Sequence, residues 1–367
     1  MKEQWRFLNL GYVEPISYWS YPEAVTIAKS RGLVPNTVVF SIPKRTHVNI
    51  GYYQDVEKEV RLDLCKSMDI EVVRRYGLGG GALLYNDDSR LFHIIVDSNR
   101  FPEDYVQLML QTSRGLLEAV RNVGIEADFV PINDVMTKSG KKIGMCSNFR
   151  TDYGNVSYIT ISLHRDVDVE LAMKVLTPPP EKFKDKTAQT VKDRITTLGK
   201  ELQRDISSDE LIEAVRRGFE KAYDIDLKDG PLAAEEQSYY NEAVKRNGTH
   251  QFLYKYSEGE KFGKDLDLVK KGALRRSEFV YKGAKLVRVV TLTDANSIRN
   301  IMISGDYYAY PWDMTDRLES ALKGCPMGEE HVRERIIAGF RDAGGEIALM
   351  SPEEFITTVN GALNQKQ

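Results

Sequence analysis

Arg74-Arg75-Tyr76-Gly77-Leu78-Gly79-Gly80-Gly81-Ala82, followed by Leu83-Leu84-Tyr85-Asn86-Asp87, is the most informative stretch of this 367-residue chain. Three consecutive glycines stand between a β-prone run (Ile70, Val72, Val73) and another apolar step (Ala82, Leu83, Leu84). Glycine there lets the backbone approach a ligand closely and adopt dihedrals that other residues avoid. The two arginines supply fixed positive charge and forked donors suited to phosphate or carboxylate. A backbone cradle beside guanidinium groups is a place to hold an anion. It is not a Walker loop, since no Lys-Ser/Thr follows, nor a dinucleotide fingerprint, since no helix start follows.

Outward from this loop the chain reads as alternating strands and helices. Thr37–Ile42 and Val48–Gly51 are β-prone and split by a Pro43-Lys44-Arg45 turn. Asp55 to Met68 has the spacing of one amphipathic helix, and Leu91–Val96 that of a buried strand. Pro102 to Val123 reads as a long helix ended by Gly124, and Tyr158–Leu163 as a β-branched strand. Several hairpins among helices point to an α+β fold with mixed sheets. Pro178-Pro179-Pro180 opens a charged helical region, with a helix beginning at Ser208-Asp209-Glu210. The Lys/Glu-rich stretch 255–273 reads as a linker. It divides an expected catalytic domain, 1–254, from an accessory domain, 274–367, whose last helix opens on the capping box Ser351-Pro352-Glu353-Glu354.

Composition narrows the function. Hydrophobic content of 42% and charged content of 29% describe an ordinary globular protein. A net charge of −3 argues against nucleic-acid binding through bulk positive charge. Three widely spaced cysteines (Cys65, Cys146, Cys325) form neither a disulfide framework nor a zinc site, and five scattered histidines show no ligand spacing. His93, inside an apolar strand, reads as a satisfied core residue. The N-terminus has no signal-peptide core, and no apolar run approaches the roughly 20 residues that span a bilayer. A soluble, cytoplasmic protein is expected.

Separate segments together resemble the lipoate–protein ligase family, within the wider group of lipoate and biotin ligases. Val48-Asn49-Ile50-Gly51-Tyr52-Tyr53-Gln54-Asp55 looks like the family's strand-glycine-Gln signature. Arg74-Arg75 with Gly79-Gly80-Gly81-Ala82 and Asn86-Asp87 is similar to its Arg-Arg, triple-glycine and His-Asp loop. Asn133-Asp134 and Gly140-Lys141-Lys142-Ile143 look like its nucleotide-facing pair and lysine motif, and Lys186–Leu198 is similar to its Arg-Val-x-Asn-Leu segment. The chain departs from the pattern at Leu78, in a loop one residue longer, at Asn86 in place of His, and at Met145-Cys146-Ser147 in place of Gly-Ser-Ala.

The resemblance implies an ATP-dependent lipoate–protein ligase. Lipoate and ATP would form lipoyl-AMP and pyrophosphate, and the lipoyl group would then pass to a lysine of a carrier protein. Lys142 would act as a point charge on the carboxylate and α-phosphate, with preorganised donors around them. Arg75, Gly51, Gln54, Gly79, Gly80, Gly81 and Ala82 would line the acyl-adenylate. Asn86, Asp87, Asn133 and Asp134 would face the nucleotide, with Asp134 on its Mg²⁺. Two other readings stand beside this one. An octanoyl or lipoyl transferase would use Cys146 as a thioester nucleophile near Lys142, without ATP. A non-catalytic protein would only bind a lipoylated or acyl-carrier partner.

Overall fold

Strands such as Val156–His164 (Val-Ser-Tyr-Ile-Thr-Ile-Ser-Leu-His) alternate two kinds of side chain, and that alternation organises the molecule. The computed structural model describes residues 2–102, 104–131, 133–177 and 193–365. Packing gathers them into two discontinuous units, one formed by 2–47, 84–174 and 193–246, the other by 48–83, 175–177 and 247–365. This grouping differs from a linear division at 254, because the glycine loop packs with the C-terminal residues. The Pro178–Pro180 and Lys186–Lys192 motifs lie outside the described residues.

The strands are, in order, β1 (Glu3–Val13), β2 (Thr37–Pro43), β3 (His47–Ile50), β4 (Glu71–Arg74), β5 (Leu83–Tyr85) and β6 (Ser89–Asp97). There follow β7 (Ala127–Val130), β8 (Asp134–Thr137), β9 (Lys142–Arg150), β10 (Val156–His164) and β11 (Ile225–Asp229). In the first unit, eight of them form a sheet in the order β11-β1-β2-β6-β10-β9-β8-β7. β1 runs parallel to both β11 and β2, whereas the β2-β6-β10-β9-β8-β7 run is antiparallel. The sheet is therefore mixed, as an α+β fold requires.

One face is apolar over most of its breadth. Trp5, Phe7, Val38, Phe40, Phe92, Ile94, Cys146, Ile159, Ile161 and Leu163 bury there against the helices Tyr105–Asn122 and Ser208–Tyr223. The second helix starts where Ser207 Oγ accepts the Glu210 N–H at 3.1 Å, and Asp209 and Glu210 complement its dipole. Leu211, Val215 and Phe219 fall on one stripe, each burial contributing roughly 1.5–3 kcal/mol. Gly218 lets the two helices meet closely: a Cβ there would lie 2.6 Å from the Ala119 nitrogen.

The opposite face carries Thr160, Ser162 and His164 from β10, His93 from β6 and Ser41 from β2. The helix Ser17–Ser30 packs against β2, β6 and β10.

In the second unit, β12 (Arg275–Lys282), β13 (Leu286–Thr293) and β14 (Ile298–Asp306) make an antiparallel meander. Its core takes in the helices Met314–Leu322, Glu329–Ala343 and Pro352–Leu363, with Tyr53 and Tyr307. Asp55 to Met68, expected as one helix, is two, Val56–Glu59 and Leu62–Ser67, broken at the extended Val60. Within 255–273 the chain is also helical, at Glu258–Phe262 and Asp265–Lys270. Lys261 in the first of these pairs with Asp316 at 2.8 Å and Glu319 at 2.6 Å. No helix among the described residues is long and apolar enough to cross a membrane.

Candidate active site

The residues singled out in the sequence divide between the two units, and each set is described within its own.

In the second unit, both arginines of the glycine loop are buried and turned onto protein carbonyls. Arg74 donates from Nη1 to the carbonyls of Gly51 (3.0 Å), Tyr52 (2.8 Å) and Gln54 (2.7 Å), and from Nε to Phe252 (2.9 Å). Burial lowers its pKa to about 10. Arg75 donates from Nη2 to Gly79 and Gly81, both at 2.8 Å, and from Nη1 to Asn49 Oδ1 at 2.7 Å. Gln54 Oε1 accepts the Gly51 N–H at 2.8 Å.

The glycines permit backbone to meet backbone. A Cβ on Gly51 would lie 1.9 Å from the Gly80 carbonyl oxygen, and one on Gly79 1.8 Å from that of Tyr307. The Gly80 N–H donates to that Tyr307 carbonyl at 3.3 Å, and Gly80 takes a φ of +87°. Ala82, at the loop's end, is half-buried. Forked donors and close approach are thus present, as the sequence leads one to expect. The arginines are aimed at the Gly51–Gln54 and Phe252 carbonyls, Asn49 and the loop itself, and the glycines approach Gly80 and Tyr307.

In the first unit, Lys142 opens β9 opposite Met136, while Asp134, at the start of β8, pairs with Met145. A bulge between Val135 and Met136 shifts the register here. Lys142 Nζ lies 2.6 Å from Asp134 Oδ1, both side chains about one-third exposed (32% and 36%). The ammonium also reaches 3.7 Å from Met145 Sδ, and Met145 faces Ser162 across β9 and β10. The Asn133 carbonyl accepts the Cys146 N–H at 3.1 Å. Lys141 is exposed.

Asp134 is a poor seat for a resident Mg²⁺, since an ammonium already occupies the space beside its carboxylate. Among the described residues no group of three or more His, Cys, Asp or Glu could hold a metal.

Asn86 and exposed Asp87 sit in the turn before β6. Asn86 Oδ1 accepts the Asp88 N–H at 3.1 Å and lies 3.3 Å from Ser89 Oγ.

Sequence reasoning missed the histidines. His47, His93 and His164 are far apart in the chain, yet the fold gathers them around Tyr18, Trp19 and Tyr85. Ring centroids lie 5.5 Å apart for Tyr18 and His47, 5.7 Å for His47 and Tyr85, 6.1 Å for Tyr85 and His164, and 5.3 Å for Trp19 and His93. Burial lowers the pKa of His47 to about 4 and of His93 to about 3. His93, expected to be fully satisfied, is only half so. Its Nδ1 meets Tyr158 Oη at 2.9 Å and Thr160 Oγ1 at 3.3 Å, while its Nε2 has no hydrogen-bond partner among the described residues. Buried Tyr18 Oη, Ser41 Oγ and His47 Nε2 share that condition. Buried polar atoms left unmet are uncommon in a folded interior. The only signal in the sequence was the polar alternation of β10.

Cys146 lies on the other side. It is fully buried in the apolar core, and burial pushes its thiol far up despite the Lys142 charge. A thiol so placed is a small hydrophobe.

Residues 15–220 match the lipoyl protein ligase A/B catalytic domain, and the chain belongs to that family of lipoate- and octanoate-handling enzymes. Among its relatives is the octanoyltransferase LipM of Geobacillus kaustophilus, 28% identical over 274 residues, which span 66% of this chain and 95% of the relative. A bi-partite lipoate protein ligase from Thermoplasma acidophilum, solved in work on that organism's lipoylation system and its E2 lipoyl domain, is 25% identical. It superposes with a TM-score of 0.59, covering 69% of this chain and 96% of that one. LipL1 of P. falciparum, in complex with lipoate, covers 98% of each chain with a TM-score of 0.66; at 14% identity this likeness shows the fold alone.

These relatives correct the expected reaction. Several relatives matched in sequence over 95% or more of their own length are octanoyltransferases, and this overturns ATP-dependent ligation through lipoyl-AMP as the expected reaction.

Proposed function

We propose that this protein is an acyltransferase that moves an octanoyl-class acyl group from a thioester donor to a lysine of a lipoyl-carrier protein. The observation that carries this reading is the likeness to an octanoyltransferase over nearly that enzyme's whole length. The first unit supplies fitting chemistry. Lys142, held by Asp134, puts positive charge beside a polar, histidine-rich sheet face. Such a charge stabilises the oxyanion that forms when a thioester carbonyl is attacked. ATP and magnesium have no step in this reaction. A cytoplasmic location accords with three free thiols and no disulfide.

The test is mass spectrometry of a lipoyl-carrier domain incubated with the protein and an octanoylated acyl carrier protein. An octanoyl mass increase on the carrier lysine, without ATP, is the expected result. Modification that occurs only with free acid and ATP would overturn the reading.

A further inference from the structure

Lysine carries a compact charge on a flexible four-carbon stem, so an ammonium left to itself averages over many positions. Stabilising a developing oxyanion requires that charge to stand in one place beforehand. The chain offers two adjacent lysines, and the structure treats them differently. Lys141 is exposed, whereas the Lys142 side chain, about one-third exposed, lies against the sheet.

Strand parity alone does not bring Lys142 to the polar face. Residues 142 and 145 are three apart on β9, and in a regular strand they would project from opposite sides. Yet Lys142 Nζ lies 3.7 Å from Met145 Sδ, so both leave the sheet on the same side. The bulge accounts for this. Asp134 pairs with Met145, Val135 with Gly144 and Met136 with Lys142, so Ile143 and Gly144 together stand against Val135. Ile143 is buried in the apolar core, and a Cβ on Gly144 would meet Leu163 Cδ2 at 3.2 Å and Leu116 Cδ2 at 3.3 Å, side chains of that same core. Two consecutive residues thus face the core, and Lys142 and Met145, on either side of them, face away from it. Without the bulge the side of Met145 would belong to Ile143 and Lys141.

The main chain of Lys142 is held from both sides. Besides pairing with Met136, it bridges Ile195 in parallel, and its carbonyl accepts the Thr196 N–H at 2.8 Å. The side chain is placed by Asp134, whose Oδ1 lies 2.6 Å from Nζ. That oxygen makes no hydrogen bond among the described residues, so the contact is one of charge. Of the three N–H donors on the ammonium, one turns to Met145 Sδ, and the others are left for an incoming oxygen. The placed charge is felt across the polar face: burial first, then Lys142, lowers the pKa of His164 on β10 to about 4.

We propose that Asp134 is a positioning residue for Lys142, and that the Ile143–Gly144 bulge selects Lys142 over Lys141 as the lysine presented to the polar face. This rests on the acyl-transfer reading above, in which the Lys142 ammonium meets the thioester oxyanion. Asp134 supplies the counter-charge that keeps the ammonium over the Met145–Ser162 pair, and it acts through Lys142 rather than on the acyl group. The bulge supplies the side of the sheet, and the carboxylate supplies the place on it.

Full-length protein carrying Asp134→Asn is compared with the wild type in two assays. In the first, native protein is labelled briefly with acetic anhydride, and the acetyl groups on Lys141 and Lys142 are quantified by mass spectrometry of the digest, with exposed Lys141 as the internal reference. Wild-type Lys142 should be the less labelled of the two, and the Lys142-to-Lys141 ratio should rise severalfold in the variant. In the second, octanoyl transfer is followed from an octanoylated acyl carrier protein to a lipoyl-carrier domain. Asp134→Asn should lower kcat by about a hundredfold with KM and melting temperature unchanged, and Asp134→Glu should recover most of that loss. Lys141→Met should transfer at the wild-type rate. An unchanged labelling ratio, a Lys141→Met variant as impaired as Lys142→Met, or a fall in kcat matched by lost stability overturns the assignment while leaving the transferase reading intact. Wild-type protein that transfers nothing from the thioester donor removes that reading, and the labelling ratio then decides the positioning by itself.

Discussion

Acidification should weaken the first unit through two fully buried histidines, and the size of the effect follows from their surroundings. His47 and His93 are each 0% exposed, with pKa values of about 4 and about 3, against an ordinary value near 6.5. Because the folded pKa is depressed, the unfolded chain takes up protons first as pH falls below about 6.5, and stability drops until the folded pKa is reached. Each tenfold change in proton concentration within that window is worth about 1.4 kcal/mol per group. At about pH 5 each histidine has therefore removed about 2 kcal/mol, and the pair about 4 kcal/mol, a large part of a typical 5–15 kcal/mol total. Urea denaturation followed by tryptophan fluorescence reads this well, since Trp19 lies 5.3 Å from His93. The comparison that isolates the effect is wild type against His47→Gln/His93→Gln, each measured at neutral pH and near pH 5. Carboxylates contribute equally to both proteins and cancel. The wild type should lose about 4 kcal/mol more than the double variant on acidification. Equal losses would refute the argument that these rings are buried in the neutral form.

Three further outcomes follow from the same structure. Cys146→Ala should keep octanoyl transfer near the wild-type rate, and thiol alkylation should not inactivate the folded protein; loss of activity in either experiment would put the chemistry on the core face. Lys142→Ala should abolish transfer while the melting temperature changes little, since a partly solvated ion pair such as Lys142–Asp134 is worth only about 0–1 kcal/mol. Gly51→Ala should destabilise the second unit by about 1–3 kcal/mol or more, because its Cβ would meet the Gly80 carbonyl at 1.9 Å, whereas Gly259→Ala meets nothing within 4 Å and should be close to neutral by thermal denaturation.

Local signals were legible in the sequence wherever local physics decides the outcome. β2, β6 and β10 follow from apolar, largely β-branched runs. The final helix opens on its capping box, with Ser351 and Glu354 exchanging hydrogen bonds. β1 escaped notice because its pairing with β11 and β2 is parallel and joins residues more than 200 positions apart on one side. The stretch 255–273 reads as a linker because its charges have the pattern of a solvated segment, yet Lys261 is largely enclosed by the two carboxylates of Asp316 and Glu319. The glycine loop was found for sound reasons, but what its glycines touch, the carbonyl of Tyr307, is set by a residue far along the chain. The histidine-lined face was invisible for the same reason. His47, His93 and His164 become neighbours only once three strands are brought together.

The two-faced strand β10 also dictates which changes in length the gene can accept. Deleting one residue inside Val156–His164 would rotate Thr160, Ser162 and His164 into the apolar layer and turn Ile159, Ile161 and Leu163 outward, losing the apolar core and the polar face at a single stroke. The connection just before it, Thr151–Asn155, has no such parity to keep. Length variation among natural homologues should accordingly collect in that turn and be absent from the strand, a pattern that an alignment can check without any protein being made.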